Sequence, residues 1–236
     1  DLVLHDHRSL SRLDGPVLYL GNHESYLESV IFSAVMPTVT GRPMRALAKV
    51  EHQTRWLGRL HALLTGYPGL RLDPQILWFD QAEPATLRPT LDALPGGTSL
   101  LVHVEGTRQT VPAQRVEKVA SIWVDYAIAR GMHIVPVAFR GGVNGAKTDV
   151  PVAPQAHHVG APIAPATLAA MPLAARRQAI ADAINALPGA DTPDVSATCI
   201  SHPGAAIVEA VMSRRGAEIE RADAAWRARF LGVREG

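Results

Sequence analysis

Sulfur chemistry is almost missing from this chain, which has one cysteine, Cys199, in 236 residues. A lone thiol cannot close an internal disulfide, so the fold must rest on a hydrophobic core, and the chain suits a reducing compartment. An excess of one charge is missing too. Lys and Arg number 23 against 22 Asp and Glu, a net charge of +1. No bulk field draws such a chain to nucleic acid, and no nucleic-acid partner is expected. Anion binding must come from local cations. Long apolar runs are also absent. The longest stretch without Asp, Glu, Lys or Arg lies between Asp149 and Arg176. It is broken by Pro151, Pro154, Pro162, Pro165 and Pro172 and carries His157 and His158, so it does not read as a bilayer span. Peripheral contact with a membrane stays open, because it needs only an apolar patch and a few cations. There is no repeat, no low-complexity tract and no basic-then-apolar leader. The chain starts at Asp1 and reads as a processed or excised piece of a longer polypeptide.

What is present is core-forming material: 47% hydrophobic and 19% charged residues, a globular rather than a disordered balance. Short apolar runs alternate with longer helical patterns, which predicts α/β architecture. The runs 16–20, 45–49, 68–72, 98–104, 133–139 and 157–163 read as strands. The stretches 24–36, 53–64, 84–94, 116–130, 173–187 and 204–231 read as helices. In the first helix Leu27, Val30, Ile31, Ala34 and Val35 recur at helical spacing as one apolar face, and Pro37 stops it. Residues 188–203 are rich in Pro, Gly, Asp, Ser and Thr and read as a linker. The expected organisation is a domain over 1–190, then a linker and a charged amphipathic helix over 191–236.

Chemistry concentrates at two strand exits. The first carries Asn22-His23-Glu24-Ser25-Tyr26-Leu27-Glu28. A histidine here can be held through Nδ1 by Glu28, which would fix its tautomer and stabilise its protonated form. As a pattern alone, His23 as a helix cap beside an exposed Glu28 fits equally. The second exit carries Glu105-Gly106-Thr107-Arg108. Glycine permits close backbone approach, the turn's N–H groups and the Thr107 hydroxyl can face an anion, and Arg108 offers a fork suited to phosphate or carboxylate. Glu105 would orient Arg108 or bind a substrate hydroxyl, and an ordinary turn with a surface arginine is the alternative. Lys49 closes the 45–49 strand and can reach an anion. Pro136 removes a ladder bond, which predicts an edge position for its strand or one beside a site opening. His157-His158 lacks a second ligand pair at metal spacing, and no metal is expected. Cys199 and His202 fall in the expected linker, and Gly141-Gly142-Val143-Asn144-Gly145 lacks the lysine of a nucleotide loop.

In this order the elements resemble the lysophosphatidate (PlsC-like) acyltransferases of glycerophospholipid metabolism. Asn22-His23 with Glu28 is similar to the family's first block, with Glu in place of Asp. Glu105-Gly106-Thr107-Arg108 matches its third block, with Val104 in place of proline. Ile134-Val135-Pro136-Val137, Ala48-Lys49-Val50-Glu51 and Gly160-Ala161-Pro162-Ile163 match three further elements, so the likeness spans about 15–190. In the second block Pro74 stands about where an arginine is usual, and Arg71 is the available substitute. The resemblance implies a single domain with a mixed, mostly parallel sheet flanked by helices. It implies acyl transfer from acyl-CoA or acyl carrier protein to a hydroxyl of a lysophospholipid-type acceptor, with His23 as base and Glu28 orienting it. Lys49, Arg71, Glu105, Gly106, Thr107 and Arg108 would bind substrate. No cofactor beyond the thioester co-substrate is expected, and the location is cytoplasmic, with association to the cytoplasmic membrane face open. Val30, Ile31, Ala34 and Met36 are the expected walls of an acyl tunnel. Thioester hydrolysis by the same base stays open, as does a non-catalytic carrier- or lipid-binding module of a larger synthase, such as one making polyunsaturated fatty acids.

Overall fold

A computed structural model of the chain describes residues 2–4, 9–10, 12–55, 58–59, 61–62, 65, 76–111, 114–141, 155–187 and 198–200. Its strands are β1 (Leu2–Leu4), β2 (Val17–Gly21), β3 (Met44–Lys49), β4 (Ile76–Phe79), β5 (Ser99–His103), β6 (His133–Arg140), β7 (Ala156–Val159) and β8 (Thr198–Ile200). Its helices are α1 (Tyr26–Thr40), α2 (Leu87–Asp92), α3 (Ser121–Arg130), α4 (Pro165–Ala169) and α5 (Leu173–Asn185), with 3-10 turns at 50–52 and 84–86. The strands form one 8-stranded sheet in the order β4-β3-β5-β2-β6-β7-β1-β8. From β4 to β6 neighbours run parallel. β7 is antiparallel to β6, β1 is parallel to β7, and β8 is antiparallel to β1. The fold is thus the expected α/β domain with a mixed, mostly parallel sheet.

Every residue of β2 is buried, as a parallel strand covered on both faces requires. Alternate side chains feed two cores. Val17, Tyr19, Leu101, Val135 and Val137 meet Phe32, Val35 and Met36 of α1. Leu18, Leu20, Leu100, Val102 and Ile134 meet α3, α4 and α5 through Val124, Leu168 and Ile184. Helix α1 starts because Ser25 is extended (φ −142°, ψ 160°) and Glu28, three residues on, accepts its N–H at 3.1 Å, half of a capping box.

Several expectations need correction. Pro37 does not stop α1, which runs to Thr40 and ends at Gly41, left-handed at φ 68°, whose N–H donates to Pro37 O. The ring falls in the last turn, and glycine supplies the stop. The apolar face is partly as expected: Val30 and Val35 are buried, but Phe32 and Met36 join them, whereas Ile31 and Ala34 face solvent. β6 is central, not an edge. Pro136 lies opposite Gly160, just past the end of β7, and accepts the Gly160 N–H at 2.9 Å; the return bond that proline cannot donate is lost only where the regular β6–β7 pairing has already ended. The strand expected over 157–163 ends at Val159, and Ile163 forms an isolated bridge to Ile134. Residues 116–120 precede α3 as irregular chain. β1, β4, α4 and β8 were not anticipated, and β8 lies inside the stretch read as linker. The expected strand at 68–72 and helix at 204–231 lie outside the described residues.

Candidate active site

β2, β3 and β5 end on the same side of the sheet, and the loops they release line one cleft of about 670 Å³. In open α/β sheets ligands bind outside the carboxyl ends of the strands. Gly21 ends β2 because nothing larger fits, since a Cβ there would sit 2.7 Å from Phe139 Cε2 and 3.1 Å from Val137 O. Asn22 follows, fully buried, and its side-chain amide acts as a peptide unit. Oδ1 accepts the Phe139 N–H at 2.7 Å, and Nδ2 donates to Phe139 O at 2.9 Å and to Gln109 Oε1 at 3.0 Å. Gln109 in turn donates to Glu105 at 2.9 Å, and its backbone N–H to His23 O at 2.6 Å. The two motif loops are therefore joined by direct hydrogen bonds.

His23 then faces the cleft with its side chain 14% exposed, and its Nδ1 lies 2.5 Å from Glu28 Oε1. The carboxylate is 1% exposed and also accepts the N–H groups of Glu24 and Ser25 at 3.0–3.2 Å. Glutamate's extra methylene lets one side chain reach both the helix N-terminus and the ring. Burial, followed by the charges of Arg108, His52 and Lys49, lowers His23 to about 3, so the imidazole is neutral near pH 7. Burial raises Glu28 to about 7 against the opposing pull of His103, the two backbone donors and Arg108.

The structure brings His23, Lys49, Glu105, Gly106, Thr107 and Arg108 to this one cleft, with Glu28 behind His23. Gly106 is left-handed at φ 67°, which the turn requires. Glu105 is raised by burial and held by Gln109. Arg71 lies outside the described residues. The tunnel walls are corrected. Met36 sits in the α1 core, Val30 packs with Ile76, Ile31 and Ala34 face solvent, and none of them lines the cleft. Its apolar wall comes instead from Leu47, Phe79, Leu87, Val102, Val104 and Trp123.

One neighbour of His23 escaped the sequence reading. His103, the last residue of β5, stacks on it with ring centroids 3.9 Å apart and planes 16° from parallel. Its signal was a histidine directly after the apolar run Leu100-Leu101-Val102. Ring nitrogens of both histidines and a Glu28 oxygen lie within 4.8 Å of one another, a spacing that fits a metal ion. Both His103 nitrogens are engaged in hydrogen bonds, however, to Asn22 O and Ser29 Oγ.

A neutral imidazole backed by a carboxylate over a cation-rimmed cleft is the equipment of an α/β transferase or hydrolase. The Acyltransferase family model matches residues 2–140, more than half of the chain. The chain belongs to this family, of the PlsC or lysophosphatidate acyltransferase type, and acyl transfer is its general activity. The match takes in the His23, Lys49, Glu105–Arg108 and Pro136 elements and stops before Gly160. Comparison with curated proteins and with solved structures gives no match.

Proposed function

We propose that the chain moves an acyl group from a thioester, on coenzyme A or acyl carrier protein, to a hydroxyl of a lysophospholipid-type acceptor. The observation that carries this reading is the 2.5 Å contact between His23 Nδ1 and Glu28 at the wall of a cleft that also holds Lys49 and Arg108. With Nδ1–H directed at the carboxylate, Nε2 is the nitrogen that takes the acceptor's hydroxyl proton. The oxygen attacks the thioester carbonyl, and a tetrahedral oxyanion forms. Collapse breaks the C–S bond, and the proton on His23 passes to the departing thiolate. Glu28 stabilises the intermediate imidazolium. A positioned base of this kind contributes about 10²–10⁴-fold. Arg108, Lys49 and the Gly106–Thr107 backbone hold the acceptor's anionic group, and Glu105 orients a hydroxyl. The acyl chain lies against Phe79, Leu87 and Trp123. Exposed Val50, Val111 and Ile122 beside or within the cleft lining, with Arg55 and Lys118, suit work at the cytoplasmic face of a membrane.

The test is mass spectrometry of products from long-chain acyl-CoA and acyl carrier protein donors against a panel of lysophospholipids. Thiol release is measured with and without acceptor. Acceptor-dependent release with an acylated product supports the reading. Release at full rate without acceptor makes the protein a thioesterase, and product formation unchanged in His23→Ala makes the histidine dispensable.

A further inference from the structure

The ring stacked on His23 is itself fixed at three points. His103 Nδ1 lies 2.6 Å from Asn22 O, its Nε2 lies 2.7 Å from Ser29 Oγ, and Phe139 covers it at 5.6 Å between centroids. A carbonyl only accepts, so Nδ1 carries the hydrogen, and Nε2 then accepts the Ser29 hydroxyl. His103 is held as a single neutral tautomer with neither nitrogen left to serve a substrate. It is in place because β2 and β5 are adjacent and in register, with Gly21 opposite His103. Gly21 has no side chain, and the space its Cβ would take holds the Phe139 ring, which also lies against His103.

The Glu28 contact tethers His23 at Nδ1. A hydrogen bond at one ring atom fixes a point but does not by itself set the plane of the ring. A flat wall 3.9 Å away fixes the plane, and point and plane together set the direction of Nε2. We infer that His103 is a positioning residue for the His23 base: clamped by Asn22 O and Ser29 Oγ, its ring is the wall that aims Nε2 into the cleft. The inference rests on His23 being the general base, as proposed above. His103 is also the face on which the imidazolium rests during the reaction. The other ionisable groups around His23 are Glu28 from α1, Lys49 from the end of β3, His52 from the 3-10 turn and Arg108 from the loop after β5.

His103→Phe keeps a planar wall and loses both hydrogen bonds; His103→Ala loses the wall. With an acyl-CoA donor and lysophosphatidate, His103→Ala is expected to lower kcat about 10–100-fold, within the range set by a misoriented base, while KM stays within about twofold. It also admits water beside His23, so the acid limb of the kcat/KM profile moves to higher pH. His103→Phe is expected to recover most of kcat and leave the limb in place. A measurement without substrate runs in parallel: NMR relaxation of histidine-labelled protein, in which the His23 ring is rigid in wild type and gains motion in His103→Ala while Glu28 still holds Nδ1. If His103→Ala keeps the wild-type kcat, pH limb and His23 ring rigidity, the inference fails. It also fails if His103→Phe is as impaired as His103→Ala, or if quenched reactions carry an acyl group on Ser29, which would make His103 a base in its own right. His23→Ala turning over at the wild-type rate would remove the general-base reading itself. His23→Ala inactive with His103→Ala fully active removes only the positioning role.

Discussion

The Glu28 carboxylate holds the His23 ring and the first turn of α1 with the same two oxygens. Oε1 sits 2.5 Å from His23 Nδ1 and 3.0 Å from the Glu24 N–H, and Oε2 accepts from Ser25 at 3.1 Å. Helix capping and orientation of the His23 ring are one interaction in this protein. A side chain one methylene shorter cannot satisfy both from the third helical position.

Glu28→Asp is therefore expected to keep the cap and lose the ring contact. Its kcat should fall about 10²-fold, at the lower end of a positioned base's contribution, with the melting temperature nearly unchanged. Glu28→Ala loses both and should also cost about 1 kcal/mol of stability, the usual worth of a helix cap. Steady-state kinetics with thermal melts separates the two effects. Equal loss of activity in both variants with equal melts would deny the double role.

Acid should destabilise the fold steeply. Burial lowers His23 and His103 each to about 3, whereas both take protons near pH 6.5 once unfolded. The stability from holding them neutral is complete above 6.5 and drains away as pH falls toward 3. Glu28 acts in the opposite sense: raised to about 7 by burial from 4.5, it binds a proton in the folded state first. Between 6.5 and 4.5 that proton offsets one of the two histidine protons, and below 4.5 neither is offset. Each uncompensated proton costs about 1.4 kcal/mol per pH unit. Urea midpoints from pH 7 to 4 should fall with increasing slope, and His103→Phe should flatten the curve.

The Asn22 amide stands in for a missing peptide between β2 and β6. Asn22→Ala strips partners from the Phe139 N–H and C=O and from Gln109, all buried. An unsatisfied buried group costs about 1–3 kcal/mol, so a loss of about 3–5 kcal/mol in denaturant unfolding is expected. Asn22→Asp keeps the acceptor for Phe139 N–H but sets its second oxygen against two acceptors, Phe139 O and Gln109 Oε1, in a buried site, and should not recover the loss.

Gly21→Ala tests how tightly the same region is filled. The new methyl would meet Phe139 Cε2 at 2.7 Å and Val137 O at 3.1 Å. The carbonyl belongs to a central strand and cannot retreat, so Phe139 must move toward His103 and Phe32, which its ring already touches. Overpacking of this kind costs about 1–3 kcal/mol. Here it should also lower kcat, by disturbing the wall on which His23 lies. A variant with wild-type kcat despite the stability loss would place the strain elsewhere.

The strands that build the site were legible because β2, β3, β5 and β6 are apolar runs bounded by turn residues. Spacing linked His23 to Glu28 because both belong to one helix start, a local matter. His103 was not legible: its role comes from the Gly21–His103 register between strands distant in sequence. The Asn22–Gln109–Glu105 chain depends on the same adjacency. The face of α1 was misread for a different reason. Its buried stripe includes Glu28, Ser29 and Ser33, so periodicity in apolar residues alone selected Ile31 and Ala34 on the solvent side. Buried polarity inside a helix face hides that face from a hydrophobicity count.

Arg108 should have two separable effects. In its proposed role as ligand for the acceptor's anionic group, it would contribute a charge-assisted hydrogen bond of about 1.5–3 kcal/mol. Arg108→Ala is therefore expected to raise the acceptor KM about 10–100-fold, with a smaller change in the KM for acyl-CoA. Its charge also lowers His23. Without it the imidazole takes a proton more readily, and the acid limb of kcat/KM should move to higher pH. Arg108→Lys restores the charge but not the planar fork, so it should return the limb toward its wild-type position while leaving much of the KM defect. Lys49→Ala should move the limb in the same direction by less, since its effect on His23 ranks behind those of Arg108 and His52. A KM defect with an unmoved limb in Arg108→Ala would mean that the guanidinium binds acceptor too far from the base to influence it, and the shared cleft would then be two sites rather than one.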